Sequence, residues 1–281
     1  MKKTTHALIT LLLINACSYV AVAQDKKTET KATEQATAKK KPAPHRDCCH
    51  SMKPCRLQSP INCLTAPYDT TTLQFYNFNF FSPEAFNATV EPEHTKLLYK
   101  YTPGEKPTTV TLLGKTYQLN EIHMHNGNEH IIDKRLHDFE IHMVYGNPDA
   151  RRLNLVVVGI IGDYKDNSPS RSFANQVCAA MKAAIDCKER NPREHCTQTI
   201  NVSSLIKTGV DSGQLNFPYY SYYGSLTTGT CTTGVYWIVR KKPVVADKIG
   251  LETEKYRKYF PGVRAPQPVG GRPVQLVLQP R

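Results

Sequence analysis

The stretch Glu121-Ile-His-Met-His-Asn-Gly-Asn-Glu-His130 and the run Phe139-Glu-Ile-His142 that follows it carry the main structural signal of this chain. In a β-strand, alternate side chains point to the same face of the sheet. If the first run is a strand, Glu121, His123 and His125 share one face and the apolar residues between them share the other. An isolated pair of histidines at this spacing more often marks an exposed polar strand than a metal site.

The second run adds a third histidine of matching parity, because Glu140 and His142 share one face of the next strand. If the two strands pair, His142 joins His123 and His125, and three imidazoles converge. Three neutral nitrogen ligands with a fourth position left open are typical of catalytic zinc. The three histidines and their flanking carboxylates therefore predict a zinc centre.

From about Gln58 onward the chain consists of short apolar or alternating runs separated by Gly, Pro, Asn and Asp. This spacing is typical of antiparallel strands joined by turns. The runs that predict strands are Thr72 to Phe80, Lys96 to Tyr101, Thr108 to Leu113, Glu121 to His125, Phe139 to Tyr145, Asn154 to Gly162 and Gly234 to Arg240. Helical spacing occurs in Ser172 to Lys188 and Thr253 to Tyr259. We therefore predict a mainly β fold of the α+β class, with a large, mostly antiparallel twisted sheet and a few short peripheral helices.

The composition indicates one main domain with a positive charge. The chain has 281 residues, 40% of them hydrophobic, and a formal net charge of +12. This length and apolar content can bury one substantial core. Clustered positive charge attracts polyanions, but the one dense cluster, Lys39 to Lys41, lies in a low-complexity tail without stacking aromatics or a helix-turn-helix pattern. We therefore expect no nucleic-acid partner.

Residues 1–23 are interpreted as an export signal. Two lysines precede an apolar stretch from Ala7 to about Ala16 that is too short to remain as a membrane-spanning helix. Ala21-Val-Ala23 fits ordinary cleavage, whereas Ile14-Asn-Ala-Cys17 resembles a lipobox in which acylated Cys17 would tether the protein to a membrane. The asparagine is unusual in a lipobox and favours ordinary cleavage. Either route predicts a periplasmic or secreted protein, lipid-anchored in the second case.

Residues 24–47 are predicted to form a flexible linker, because they are rich in Lys, Thr and Ala and contain almost no large apolar side chain. The folded domain is predicted at residues 48–281. An even number of cysteines in an exported domain indicates disulfide bonds. The eight cysteines of the domain are Cys48, Cys49, Cys55, Cys63, Cys178, Cys187, Cys196 and Cys231. Cys187 and Cys196 are close enough in sequence for a local bridge.

Motifs on both sides of the histidines resemble the alpha-class carbonic anhydrases, particularly exported bacterial members. They are Gln58-Ser-Pro-Ile-Asn62, Tyr222-Tyr-Gly-Ser-Leu-Thr-Thr228, Gly234-Val-Tyr-Trp-Ile-Val239 and Arg272-Pro-Val-Gln275. They occur in the family's order, and the resemblance covers roughly Cys55 to Arg281. It implies the carbonic anhydrase fold and the reversible hydration of carbon dioxide to bicarbonate and a proton by zinc-bound hydroxide.

The resemblance also implies individual roles for the matching residues. His123, His125 and His142 are the implied Zn²⁺ ligands. Thr227 is the implied acceptor of a hydrogen bond from zinc-bound hydroxide, and Glu129 the carboxylate that orients this threonine. A threonine that accepts from hydroxide must donate its own proton onward, and a carboxylate is a suitable acceptor for it.

Other implied roles concern the surroundings of the ligands. Glu140 accepts a hydrogen bond from the third ligand, which fixes the ring and raises its basicity. Glu121 stands where the family usually has glutamine, and we expect its added negative charge to raise the pKa of zinc-bound water. His94 falls near the position of the family's proton shuttle, a role that suits a side chain titrating near neutrality. Cys55 and Cys231 match a disulfide that is common in exported members.

The implied carbon dioxide pocket has an apolar wall of Val144, Val157, Leu226 and Trp237, and Thr228 helps to receive bicarbonate. Without the zinc pattern, all of these residues would be interpreted as ordinary core or turn residues. The aromatic segment that normally precedes the Gln-Ser-Pro motif is missing. Two alternatives stay open: a non-catalytic carbonic-anhydrase-like binding module on the cell envelope, and an anchored adhesin or scaffold. The sequence also leaves open a homodimeric state.

Overall fold

The computed structural model describes residues 57–65, 68–69, 76–79, 84–168, 172–205 and 213–278. The predicted signal peptide, lipobox and linker, together with Cys55, lie outside the described residues and stay predictions. Part of the strand predicted at Thr72 to Phe80 also lies outside them. In the described part of the chain, no helix is both long and apolar enough to cross a membrane.

Thirteen strands within the described residues form one sheet. They are β1 (Tyr68–Asp69), β2 (Asn77–Asn79), β3 (Glu84–Thr89), β4 (Lys96–Tyr99), β5 (Thr109–Leu112), β6 (Lys115–Asn126), β7 (Phe139–Gly146), β8 (Leu155–Lys165), β9 (Thr197–Ile200), β10 (Tyr219–Ser225), β11 (Thr233–Arg240), β12 (Val244–Asp247) and β13 (Val274–Val277). The strand order is β1-β13-β10-β11-β8-β7-β6-β4-β3-β9, with β5 beside β6, β2 beside β5 and β12 beside β8.

Most neighbouring strands are antiparallel, which confirms the predicted fold class. The parallel pairs are β1 with β13, β8 with β11 and β8 with β12. The antiparallel β6, β7 and β8 form the centre of the sheet. The predicted metal-binding histidines therefore lie on long central strands that have a hydrogen-bonded neighbour on each side.

Both predicted helices are present, each one residue later at its start than predicted. Helix α1 spans Phe173–Arg190, and the side chain of Ser172 caps its N-terminus by accepting a hydrogen bond from Asn175 N. Its buried face includes Val177 and Met181 and packs into the core. Helix α2 is a single turn, Glu254–Arg257.

The two faces of the central strands bury different kinds of side chain. On one face Ile122, Met124, Ile141 and Met143 belong to the larger hydrophobic cluster and are at most 1% exposed. Burying each of these side chains is worth on the order of 1.5 to 3 kcal/mol. The histidines alternate with them, so the same packing that anchors β6 and β7 turns the histidines toward the opposite face.

The predicted local bridge between Cys187 and Cys196 is confirmed. It joins the last turn of α1 to the residue that precedes β9, and Ala88 N donates a hydrogen bond to the carbonyl of Cys196. The bridge therefore ties the helix to the edge strand of the sheet.

Removing this bridge is expected to lower the free energy of unfolding. The cysteines are 9 residues apart in sequence, and a loop of that size predicts a loss of about 2 to 3 kcal/mol. Urea unfolding of the Cys187→Ala/Cys196→Ala variant against the oxidised wild type measures it. The matching double serine variant separates loss of the bridge from the effect of side-chain polarity. Equal unfolding free energies for all three proteins would contradict a stabilising role.

Candidate metal centre

The register between β6 and β7 brings the three predicted ligands together. His123 on β6 lies directly opposite His142 on β7, and opposite Lys96 on β4. His125 lies opposite Glu140, two residues farther along the same pair of strands. Residues that are directly opposite in an antiparallel pair point to the same face. The three imidazoles therefore meet on one face of the sheet without any contribution from a loop.

The spacing of the ring nitrogens fits one metal ion. One nitrogen from each of His123, His125 and His142 lies within 4.8 Å of the other two. His123 Nε2 and His142 Nδ1 are 3.2 Å apart. Two nitrogens bound to one tetrahedral zinc at about 2.0 to 2.1 Å would be separated by about 3.3 Å. The distance between this pair of nitrogens therefore matches a tetrahedral site, and the third nitrogen lies within reach of the same ion.

Each ring is fixed through its other nitrogen. His123 Nδ1 donates to Glu121 Oε1 at 2.9 Å, and His142 Nε2 donates to Glu140 Oε1 at 2.9 Å. His125 Nδ1 donates to the carbonyl of Gly262 at 3.2 Å. A ring that donates from its outer nitrogen presents a lone pair on its inner nitrogen, which is the form a metal requires.

Two buried atoms in the centre lack a hydrogen-bond partner within the described residues. They are His125 Nε2 and Glu129 Oε2, and 3.6 Å separates them. Leaving a buried polar atom unsatisfied costs about 1 to 3 kcal/mol. A cation that accepts the imidazole lone pair would remove part of this cost, so the unsatisfied nitrogen also fits a metal.

The electrostatics of the site keep one ligand neutral and its supporting carboxylate charged. Burial lowers the pKa of His123 to about 4, so the ring is neutral at pH 7, as metal binding requires. Burial alone would raise the pKa of Glu121, but hydrogen bonding to His123 and the ion pair with Lys96 lower it to about 2. Burial likewise lowers the pKa of His125.

Glu140 is the most heavily hydrogen-bonded carboxylate of the site. It is fully buried. Its Oε2 accepts from the backbone N–H groups of Glu129 and His130 at 2.8 and 2.9 Å, and its Oε1 accepts from His130 Nδ1 at 2.7 Å as well as from His142. A Cβ added at Gly159 would lie 3.0 Å from Glu140 Oε1, so glycine leaves room for the carboxylate.

His130 was not assigned a role from the sequence, although it belongs to the histidine-rich stretch. Its Nε2 lies 2.7 Å from the Tyr222 hydroxyl, which donates to Ser59 Oγ at 2.9 Å. This chain of contacts connects Glu140 to β10 and to the Gln-Ser-Pro motif. His130 lies in the connection between β6 and β7, where strand parity does not apply, so no sequence signal could have predicted the contact.

The segment that carries Thr227 is held by residues distant in sequence. Ser59 N donates to Ser225 Oγ at 2.9 Å, and Gln58 donates to the carbonyl of Cys231 at 3.2 Å. Arg264 binds Gln58 Oε1 and the carbonyl of Ser59 through its guanidinium, at 3.0 and 2.7 Å. These contacts show that the motif beginning at Gln58 holds the segment of the motif that ends at Thr228.

The predicted contact between Thr227 and Glu129 is not formed in the described residues. Thr227 is buried, but no hydrogen bond joins its hydroxyl to either Glu129 oxygen. Glu129 Oε1 accepts from Arg264 N at 3.0 Å, while Oε2 has no partner in the described part of the chain. Glu129 is therefore anchored on one side and has one oxygen available near the histidines.

A cavity of about 670 Å³ opens beside the histidines. Its lining includes His94, Lys96, Val144, Leu226 and Thr228. His94 is exposed at the cavity, whereas the cavity lining does not include Thr227.

The two other predicted pocket residues lie behind the cavity wall. Val144, Val157 and Trp237 are directly opposite one another across β7, β8 and β11. Val157 and Trp237 are each 2% exposed, and the Trp237 ring centroid is 4.9 Å from that of His142. Three residues of the predicted apolar wall therefore form one row of side chains, and Val144 from this row lines the cavity together with Leu226.

Cys231 is disulfide-bonded. Its partner lies outside the described residues, so the pairing of Cys231 with Cys55 stays a prediction. Cys63 and Cys178 are buried thiols.

Comparison with known proteins agrees with the geometry. The sequence profile of the eukaryotic-type carbonic anhydrase family matches residues 45–277. A carbonic anhydrase of Pectobacterium carotovorum is 27% identical over 219 residues, which cover 76% of this chain and 78% of that protein. The solved structure of Photobacterium profundum alpha-carbonic anhydrase has a TM-score of 0.59 at 20% identity, and covers 79% of this chain and 90% of that one. Since the family profile spans most of the sequence, the chain belongs to the eukaryotic-type carbonic anhydrase family.

Proposed function

We propose that this protein is a zinc-dependent carbonic anhydrase that converts carbon dioxide and water reversibly to bicarbonate and a proton. The observation that carries the proposal is the convergence of three imidazole nitrogens within 4.8 Å, beside a cavity with an apolar wall. Family membership supports the same activity. Because all three histidines are present and oriented, we favour an enzyme over a non-catalytic binding module.

His123, His125 and His142 would hold the zinc through their inner nitrogens. When bound, zinc would act as a Lewis acid that makes water acidic enough to supply hydroxide near pH 7, a value already established for carbonic anhydrases. The protein orients the three rings through Glu121, Glu140 and the Gly262 carbonyl. These outer contacts fix both the tautomer of each ring and the direction of the lone pair that would bind zinc.

The side chains around the cavity suit an uncharged, apolar substrate. Carbon dioxide has no net dipole, so its binding requires an apolar surface near the nucleophile rather than polar partners. Val144 and Leu226 provide such a surface in the cavity lining. Thr228 is exposed in the same lining and, in this proposal, would donate a hydrogen bond to bicarbonate.

Thr227 and Glu129 would control a proton beside the metal. In this proposal the Thr227 hydroxyl donates to Glu129 Oε2, the buried oxygen that has no partner in the described chain. The threonine oxygen is then left to accept a hydrogen bond from the nucleophile. The described residues do not contain this contact, so its formation requires a rearrangement of Thr227 or Glu129.

His94 is the proposed carrier of protons to solvent. It is exposed and lines the cavity, so its imidazole can exchange protons with both cavity water and bulk water. Histidine is the side-chain type most often used to carry protons in proteins, which suits an exposed position in the cavity lining.

We also propose that the protein acts in the periplasm or outside the cell. The Cys187–Cys196 bridge supports an oxidising compartment. The export signal and the choice between cleavage and acylation at Cys17 remain predictions from sequence. Membrane tethering would follow from acylation alone.

Stopped-flow carbon dioxide hydration by the oxidised domain, before and after zinc removal with a chelator, tests the proposal. We expect chelation to abolish the catalysed rate and added zinc to restore it, because hydroxide at neutral pH depends on the metal. An inhibited enzyme that recovers with magnesium alone would argue against a zinc site. Stoichiometric zinc binding without any hydration would favour the binding-module alternative.

A further inference from the structure

A lysine lies beside the candidate metal centre. Lys96 on β4 is directly opposite His123 on β6, so its side chain projects to the face that holds the three imidazoles. It lines the cavity and its side chain is 29% exposed. A positive charge at this place opposes the binding of a divalent cation unless a negative charge compensates for it.

The compensating charge comes from Glu121. Lys96 Nζ donates to Glu121 Oε2 at 3.0 Å, and the other carboxylate oxygen, Oε1, accepts from His123 Nδ1 at 2.9 Å. The three side chains thus form one row: ammonium, carboxylate, imidazole. Within the described residues, Glu121 is the acidic group that forms an ion pair with Lys96.

This row allows a carboxylate to support His123 without adding a net negative charge beside the metal. A carboxylate is a stronger hydrogen-bond acceptor than a neutral amide and holds a ligating imidazole more firmly. Alone, it would also add a full negative charge near the metal. The ammonium on its second oxygen cancels that charge.

We propose that Lys96 tunes the charge of the metal centre by cancelling the negative charge of the Glu121 carboxylate, which is the hydrogen-bond partner of His123. This inference rests on the proposed zinc site. It predicts opposite effects on zinc affinity for the two members of the pair. Lys96→Met leaves the carboxylate uncompensated and should tighten zinc binding about fivefold. Glu121→Gln weakens the acceptor, leaves the ammonium uncompensated, and should weaken zinc binding about tenfold.

The experiment measures zinc dissociation constants at neutral pH by competition with a chelator of known affinity. The proteins are the wild type, Lys96→Met, Lys96→Arg, Glu121→Gln and the Met/Gln double variant. Lys96→Arg keeps the charge and should stay within about twofold of the wild type. The double variant should bind zinc more tightly than Glu121→Gln alone. Melting curves of the metal-free proteins check folding, and Lys96→Gln repeats the test if the methionine variant fails to fold.

The outcomes separate this inference from the proposed function. Unchanged or weaker zinc binding by Lys96→Met, while the wild type binds zinc and hydrates carbon dioxide, would overturn the role of Lys96 alone. A purely structural role would weaken binding, so tightening together with rescue by arginine supports charge compensation. If the wild type bound no zinc, the proposed function would fail and this inference with it.

Discussion

Replacement of His142 by alanine is expected to eliminate stoichiometric zinc binding and to reduce carbon dioxide hydration by at least about a thousandfold, or about 4 kcal/mol in activation free energy. Its Nδ1 lies 3.2 Å from His123 Nε2, so it provides one of the converging donors. Two imidazoles leave two of four positions to water, and such a site holds zinc much less tightly. Zinc content and stopped-flow hydration measure both effects.

His195 provides the matched control. It is exposed in the connection between α1 and β9, and His195→Ala removes the same imidazole away from the cavity. That variant should keep wild-type zinc content and hydration rate. Comparable activity in the His142 and His195 variants would exclude the proposed role of His142 in the reaction.

The convergence of the histidines was predictable from sequence because strand parity is a local property. His123 and His125 share a face wherever the strand lies, and His142 needed only one antiparallel pairing between consecutive strands. The central strands were predictable for the same reason. β6 begins at Lys115, six residues before the predicted start at Glu121. The first half of the strand was not predicted because it is mostly polar, although Tyr117 and Leu119 are buried.

The contacts that the sequence did not predict depend on register between elements far apart in the chain. Lys96 meets Glu121 only because β4 pairs with β6 in one register. A shift of one residue would turn Lys96 to the other face. Backbone donors are equally hard to predict from sequence, since any residue except proline at positions 129 and 130 would supply the N–H groups that donate to Glu140.

Glu140→Gln is expected to destabilise the metal-free protein by about 3 to 5 kcal/mol, the range for removing one partner from a buried charged network. The carboxylate accepts four hydrogen bonds, two at each oxygen, from His130, His142 and the backbone of Glu129. An amide has one oxygen, so its NH₂ group must face two donors. Urea unfolding of the metal-free protein measures the loss without any contribution from zinc.

Zinc affinity should fall about 10- to 100-fold in the same variant, because His142 loses a charged acceptor or His130 turns away from it. Glu105→Gln is the matched control, since Glu105 is exposed in the connection between β4 and β5, and its unfolding free energy should stay within about 0.5 kcal/mol of the wild type. If Glu140→Gln unfolded at the wild-type urea concentration but bound zinc weakly, Glu140 would serve the metal ligand alone. A loss of both properties is what its four contacts predict, because one buried carboxylate holds the His142 ring and the backbone turn that carries Glu129.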